Sequence, residues 1–299
     1  MQQEPGQQVS SGSARAGGRW SQERRLEFID YRLRWDGRLN RSDLIDFFSI
    51  STPQASLDIA RYSELAPANI RYDRSGRVYL AGEDFEPVYP VGSAQRFLGD
   101  VLAQAAGLSS PGSSFLGWGP PVGVVPVPSR VIPVETLLTI LRAIRTGRTL
   151  RVVYQSMTST DPKERELSPH ALGHDGFRWH VRAYCHSRKE FRDFLIARML
   201  VVALGDASEV SASSDQPWHT VVRLVLAPNP KLSLPRRRVV ELDYGMLDGQ
   251  AVLECRQALL FYVLKQLGFE DQASKPVEAQ QVVLLNADEV RQLLVAASQ

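Results

Sequence analysis

The run Arg178-Trp179-His180-Val181-Arg182-Ala183-Tyr184, followed by Phe191-Arg192-Asp193-Phe194-Leu195-Ile196-Ala197-Arg198, gathers the side chains best suited to holding an anion beside a ring. Both runs read as β-strands. With Trp179, Val181 and Ala183 turned into a core, period-two alternation sends His180, Arg182 and Tyr184 the other way. Arg192 and Arg198, an even step of six apart, are expected to share a face. Strand packing needs no such cluster of cations, so a ligand is the better reason for it. With residues upstream, the candidate ligand-binding set is Tyr154, Ser156, Arg165, His170, His180, Arg182, Arg192 and Arg198. Guanidinium forks match phosphate geometry, and Tyr or His rings offer a base a stacking surface. The bland alternative is that these arginines pair with Asp193, Glu164 or Glu166 as weak surface ion pairs. A ligand site implies that His180→Ala or Arg182→Ala loses effector response while folding and DNA binding persist.

Other chemistries fit less well. His170, His174, His180, Cys185 and His186 invite zinc, but the chain lacks the Cys-x2–4-Cys spacing of structural sites. No metal or cofactor is expected. Ser156 or Ser168 with His170 or His180 and Asp193 can be drawn as a hydrolytic triad. Neither serine sits in a Gly-x-Ser-x-Gly elbow, and no carboxylate cluster suggests a metal nuclease. The chain reads as a binding protein rather than an enzyme.

The elements that must position these residues come next. At 299 residues the chain has room for two or three domains. Cys185 and Cys255, seventy positions apart, argue against a disulfide scaffold and fit a reducing cytoplasm. No apolar run approaches a membrane span, and the polar N-terminus has no signal-peptide core. Net charge is only +2, so its distribution matters more. Residues 147–200 hold ten Lys or Arg against six Asp or Glu, with four of the five histidines, whereas residues 217–299 hold nine of each sign. The excess cation lies in the middle of the chain, where an anionic ligand would go.

Residues 1–18, rich in Gln, Gly and Ser, read as a disordered tail. Over 19–81 the spacing predicts a helix capped by Ser21 with Leu26, Ile29 and Leu33 inward, broken at Asp36-Gly37. A second helix follows over Ser42–Phe48. A third is signalled by Ser51-Thr52-Pro53-Gln54 and is expected to bury Leu57 with Ile59 or Ala60. Ile70 to Leu80 reads as a hairpin around Asp73-Arg74-Ser75-Gly76. Three helices and a hairpin are the order of a winged helix-turn-helix, with the tight Ser49-Ile50-Ser51 turn between its second and third helices. In that geometry the third helix enters the major groove of double-stranded DNA. Ser51, Thr52, Gln54 and Ser56 are then the expected base readers, and Arg61, Arg74 and Arg77 the phosphate contacts. The alternative is a helical domain whose hairpin meets protein.

Residues 82–146 read as a linker with helices at Ala94–Ala105 and Val134–Thr146, separated by the Pro- and Gly-rich stretch 109–133. From Thr149, strands at Leu150–Tyr154, Glu166–Pro169, Phe177–Tyr184 and Phe191–Ala197 suggest a small barrel over 147–205. Residues 217–299 read as mixed α+β: strands at Thr220–Leu226, Ala251–Glu254 and Val282–Leu285, a helix over Arg256–Leu267, and an Asn286/Glu289 capping box before a last helix.

Tyr154-Gln155-Ser156-Met157, Arg165, Ser168-Pro169-His170, Arg178 to Tyr184 and Phe191 to Phe194 together resemble a WYL domain. The subgroup that looks most similar is the BrxR/CapW type of bacterial defence-island repressor. The naming tripeptide stands here as Trp179-His180-Val181, departing at two of three letters. Phe48-Ser49-Ile50-Ser51 and Ser56-Leu57-Asp58 resemble the subgroup's winged helix, and the likeness runs from about Trp20 onward. It implies an α+β multidomain protein with an N-terminal winged helix-turn-helix, a central Sm-like β-barrel WYL domain and a C-terminal WCX-like domain. It also implies a cytoplasmic homodimeric repressor of a phage-defence operon that senses a nucleic-acid or nucleotide-derived effector. Tyr244-Gly245-Met246 and Tyr262 are the residues that look like WCX. The stretch 109–133 and the helix from Val134 are where ligand binding would be passed to the reading heads. A nucleic-acid-binding adaptor without operator preference is the competing class.

Overall fold

The computed structural model describes residues 12–89, 93–110, 112, 114–128, 130–269, 276 and 279–298. It forms two compact units that divide after Pro126. Residues 1–11 of the expected tail lie outside the described residues.

In the first unit α1 (Gly12–Asp36) begins well before the Ser21 cap. Extending a helix that already has a packed nucleus costs less than starting one, so Gly12 to Gly18 join it. A two-residue strand β1 (Arg38–Leu39), which the sequence did not signal, precedes α2 (Arg41–Phe48) and α3 (Thr52–Leu65). β2 (Ile70–Asp73) and β3 (Val78–Ala81) form the wing, and the sheet order is β1-β3-β2. The core is aromatic: Phe28 packs on Phe47, Phe48 and Phe115 with ring centroids 4.8, 5.4 and 5.2 Å away.

Phe115 comes from the stretch expected to be linker, yet it is buried under α1, with the Arg24 guanidinium 4.0 Å above its ring. On α4 (Ala94–Ala105), Phe97 stacks on Trp35 at 4.5 Å. The part of 82–146 up to Phe115 is therefore anchored to the winged-helix core. Gly117 passes close to Arg32: a Cβ there would stand 2.0 Å from the guanidinium carbon and would push that side chain aside.

The second unit opens with α5 (Val134–Thr146), stopped by Gly147 at φ +61°. Its Ile140 and Ala143 pack on the sheet of β4 (Arg148–Tyr154), β5 (Lys163–His174), β6 (Trp179–Cys185), β7 (Glu190–Leu195) and β8 (Met199–Ala207). The order is β7-β6-β5-β4-β8, all antiparallel. The expected barrel is not closed: among the described residues no ladder joins β7 to β8. Those edges are nevertheless linked by a single 3-10 turn, Ile196–Arg198. Four inter-strand steps span about 19 Å when flat, and four residue steps reach about 14 Å at full stretch. The sheet must curl to make that connection.

The rest is a three-stranded sheet, order β10-β9-β11, built from β9 (Val221–Pro228), β10 (Ala251–Arg256) and β11 (Val282–Leu284). Its helices are α6 (Gln216–His219), α7 (Leu234–Asp243), α8 (Leu260–Gln266) and α9 (Ala287–Ser298). The helix expected over Arg256–Leu267 is split, with a 3-10 turn at Gln257–Leu259 before α8. Asn286 bonds Glu289 at 3.0 Å but spends its other polar atoms on the Arg223 carbonyl and Val225 N–H of β9. It fastens the last helix to the sheet as well as heading it.

Candidate functional site

In the first unit α3, expected to be the reading helix, is held from behind by buried polar bonds. Asp58 of α3 is fully buried and takes Arg25 at 2.6 Å and the Gln54 amide at 3.1 Å. The Tyr62 hydroxyl donates to Asp30 at 2.6 Å, and Asp30 also accepts the backbone N–H of Val88 at 3.1 Å. These bonds fix α3 against α1.

They also change the expected roles. Gln54 is half-buried and turned onto Asp58, so one of its amide N–H groups is committed. Ser51 is the N-cap and accepts the Gln54 N–H at 3.4 Å; Ser56 donates to the Thr52 carbonyl at 2.9 Å. Leu57, expected in the core, is 64% exposed, and the buried positions are Ala55, Asp58, Ile59 and Tyr62. Arg61 is exposed and paired with Glu64 at 3.1 Å, while Arg74 and Arg77 stand exposed at the tip of the wing.

In the second unit a cleft of about 460 Å³ runs along the edge strand β7. Tyr154, Ser156, Arg165, Arg182 and Arg192 of the expected set line it; His170, His180 and Arg198 do not. The cations do not share one face. Register places Arg182 opposite Asp193 and Arg192 opposite Ala183, so the two arginines point to opposite sides of the sheet. Both reach the cleft because it takes residues from both faces of β7. Arg198 is separated from Arg192 by the 3-10 turn, which voids the even-step argument.

The alternation along β6 holds, with Val181 and Ala183 in the core as expected, but Trp179 is not in the core and the opposite face is buried rather than open. Trp179 is 50% exposed and leans on His174, whereas His180 and Arg182 are 3% and 6% exposed. The face carrying them is covered by the C-terminal part of the unit. Tyr262 of α8 lies 5.0 Å from the His180 ring and its hydroxyl donates to Asp193 at 3.2 Å. Asp215, at the head of α6, takes Arg182 Nε at 2.7 Å and Nη2 at 2.9 Å, and His170 Nε2 at 2.8 Å.

Burial opposes ionisation of Asp215, but the hydrogen bonds from Arg182 and His170 outweigh it and hold the carboxyl at about 2. Burial likewise works against the Arg182 cation, and the bonds and charges of Asp215 and Asp193 more than restore it. Burial beside Asp193 pushes the Tyr262 hydroxyl up, so it remains a donor. His180 Nε2 meets Asp175 at 3.1 Å, and Asp175 also accepts the Phe177 and Arg178 backbone N–H groups. These two histidines brace the cleft from behind.

The drawn triad is not assembled, because His170 and His180 are committed to Asp215 and Asp175, and Ser168 bonds His186 at 2.8 Å instead. Among the described residues no His, Cys, Asp or Glu group could hold a metal, and no helix is long and apolar enough to cross a membrane.

Arg188, Phe191, Phe261, Tyr262 and the carboxylates Glu190 and Asp193 are among the other residues of the cleft and were not in the expected set. Arg188 carried a local signal, the Arg188-Lys189 turn beside an expected strand. Asp215 carried none, being a lone carboxylate between two expected domains.

A winged helix-turn-helix, a WYL-type sheet and a third α+β part joined to it define a DNA-binding transcriptional regulator. Residues 21–103 match the BrxR transcriptional regulator winged helix-turn-helix domain, residues 135–204 the WYL domain, and residues 221–290 the BrxR transcriptional regulator C-terminal dimerization domain. The "DNA-binding transcriptional repressor CapW" of Escherichia coli (strain KTE188) is 48% identical over 290 residues, 97% of each chain. Those of Pseudomonas aeruginosa and Stenotrophomonas maltophilia are 49% and 50% identical over 285 residues, 95% of each chain. The chain belongs to the CapW family of DNA-binding transcriptional repressors. It is a repressor with a DNA-binding and a dimerization domain, not an enzyme. Among solved structures, proteasome accessory factor B/C of Arthrobacter aurescens aligns at a TM-score of 0.26 and 24% identity, over 57% of this chain and 28% of that one, too weakly to inform the fold.

Proposed function

We propose that two copies of this chain bind an inverted-repeat operator and that an anionic, nucleic-acid or nucleotide-derived effector in the β7 cleft changes operator affinity. The observation that carries the effector reading is the cleft itself, where Arg165, Arg182, Arg188 and Arg192 meet Tyr154, Phe191, Phe261 and Tyr262. Guanidinium groups beside rings suit a phosphate joined to a base. His170 and His180 act as positioning residues, and Arg198 lies outside the contact set. The regulated genes are a phage-defence operon and the protein works in the cytoplasm, both on the strength of family resemblance. The curl of the five-stranded sheet supports an Sm-like, incompletely closed WYL fold.

On the DNA side, α3 enters the major groove while Arg61, Arg74 and Arg77 meet phosphates. Ser51 and Thr52 contact the backbone or bases at the helix start, and Gln54 and Ser56 take part through the amide and hydroxyl positions that their internal bonds do not use.

The test is a gel-shift titration on DNA upstream of the chain's own gene, with and without 5′-phosphorylated single-stranded oligodeoxynucleotides or cyclic nucleotides. Saturable, inverted-repeat-dependent binding that one of these alters supports the proposal. Equal affinity for random DNA favours the adaptor reading. Arg192→Ala, on an exposed side chain paired with the surface carboxylate of Glu190 at 3.3 Å, is expected to lose effector response with thermal stability unchanged. An unaltered response in Arg192→Ala and in Arg165→Ala would sink the cleft.

A further inference from the structure

The outward face of α3 is apolar over its first three turns, where a base-reading face is usually polar, and Glu64 closes the same face one turn further on. Helical spacing sets Pro53, Leu57 and Ala60 in one exposed stripe, directly opposite the buried Ala55, Asp58, Ile59 and Tyr62. Leu57 is its centre at 64% exposure. The polar groups beside it are partly spent: the Gln54 amide on Asp58, the Ser56 proton on the Thr52 carbonyl, a Ser51 lone pair on the Gln54 N–H. An exposed leucine contributes nothing to the core of the unit. It does contribute if water leaves its surface on docking.

In the major groove the apolar base-edge group is the thymine C5-methyl, which proteins read by apolar contact. Exposed cations lie on the same unit, Arg61 on α3, paired with Glu64, and Arg74 and Arg77 at the tip of the wing. They select a DNA duplex as the occupant rather than an apolar protein surface.

We infer that Leu57 is a specificity-determining residue, and that the half-site of this repressor is read through thymine methyl groups packed on the Pro53–Leu57–Ala60 stripe. The inference rests on α3 being the groove helix and deepens that reading. It assigns the base class recognised, and it moves the main reader from the hydroxyl and amide side chains to an aliphatic one.

The experiment uses the full chain and the duplex it selects from a random-sequence pool. Each thymine of the selected half-site is replaced in turn by deoxyuridine, which removes the methyl and keeps every hydrogen-bonding group. At one or more positions the wild type is expected to lose about fourfold in affinity, the effect of one methyl-sized apolar contact. Because both heads lose Leu57 at once, Leu57→Ala binds the thymine site about as weakly as the wild type binds a site with uracil at that position in both half-sites, and it is indifferent to the replacement. Leu57→Ala keeps a strong helix former at an exposed position, so its fold is retained.

Leu57→Glu separates the two ideas, since a carboxylate facing the groove must oppose DNA. If Leu57→Glu abolishes operator binding but uracil and Leu57→Ala change nothing, α3 docks and the thymine inference is overturned. If Leu57→Glu and Arg61→Ala both bind normally, α3 is not in the groove and the underlying reading falls with it.

Discussion

Arg182 commits three of its five N–H donors to two aspartates, two to Asp215 and one to Asp193 at 3.3 Å. An arginine buried this way is a structural strut whose edge faces the cleft. Removing either partner strands the other charge without water, at a cost of about 3–5 kcal/mol. Arg182→Ala and Asp215→Ala are therefore expected to lower the melting temperature sharply, so neither variant can isolate effector binding. His180→Ala also costs stability, because it empties a buried site against Tyr262 and takes one partner from Asp175, which keeps Arg178 and two backbone N–H groups. The sign of the pH dependence follows. Asp215 titrates near 2 when folded, below its unfolded value, so its stabilisation is complete above about pH 4 and fades as pH falls through 2. Asp175 is also depressed, against the pull of its burial, and adds to the loss in the same direction. Denaturant titrations from pH 6 to pH 2 should show this acid loss in the wild type, and a flatter profile in Asp215→Asn. An equal slope in both would remove Asp215 from the account.

At the scale of elements, the segment after the wing belongs to the winged-helix core. Phe115 fills the space between Phe28, Tyr31 and Phe47, with centroids 5.2, 5.9 and 5.3 Å away. Phe115→Ala is expected to cost about 3–5 kcal/mol, the usual range for emptying a buried aromatic site. Chemical denaturation of the full chain checks it, and a loss under 1 kcal/mol would mean that the site collapses or that the segment is dispensable. Nothing near Phe115 announced this, because a lone aromatic in a Pro-Gly stretch has no periodicity. Elements with backbone punctuation were legible: Ser51-Thr52-Pro53 starts α3 and Gly147 ends α5. β8 was not legible, since it follows a 3-10 turn through a continuous apolar run that hides its own start. Leu57 was misplaced for a related reason. Ile59 and Leu57 both suit a core by type, and only packing against α1 decides which one is inside. The cleft shows the same limit, because strand alternation marks Arg182 and Arg192, whereas Asp215 and Tyr262 arrive from segments whose docking no local pattern encodes.

At the scale of the whole molecule, the chain joins a unit with the winged helix-turn-helix domain to one with the β7 cleft, proposed as the effector site, and the dimerization domain. A twofold dimer presents two copies of each phosphate contact, so an operator must repeat in inverted sense. Each neutralised phosphate releases counterions and steepens the fall of affinity with salt by about 0.9 in log–log slope. Arg74 stands exposed at the tip of the wing, where its loss should leave folding unchanged. Because both heads lose a contact at once, Arg74→Ala is expected to flatten the slope by about 1.8. Its effect should be nearly equal on operator and non-operator duplexes, since a phosphate contact carries no base information. Leu57→Ala should do the reverse, weakening the operator alone and leaving the slope intact. Measuring both variants across a salt series therefore separates electrostatic positioning by the wing from base reading by α3. A slope change of about half the expected size in Arg74→Ala would mean that only one head sits on the DNA, and the inverted-repeat geometry would have to be abandoned.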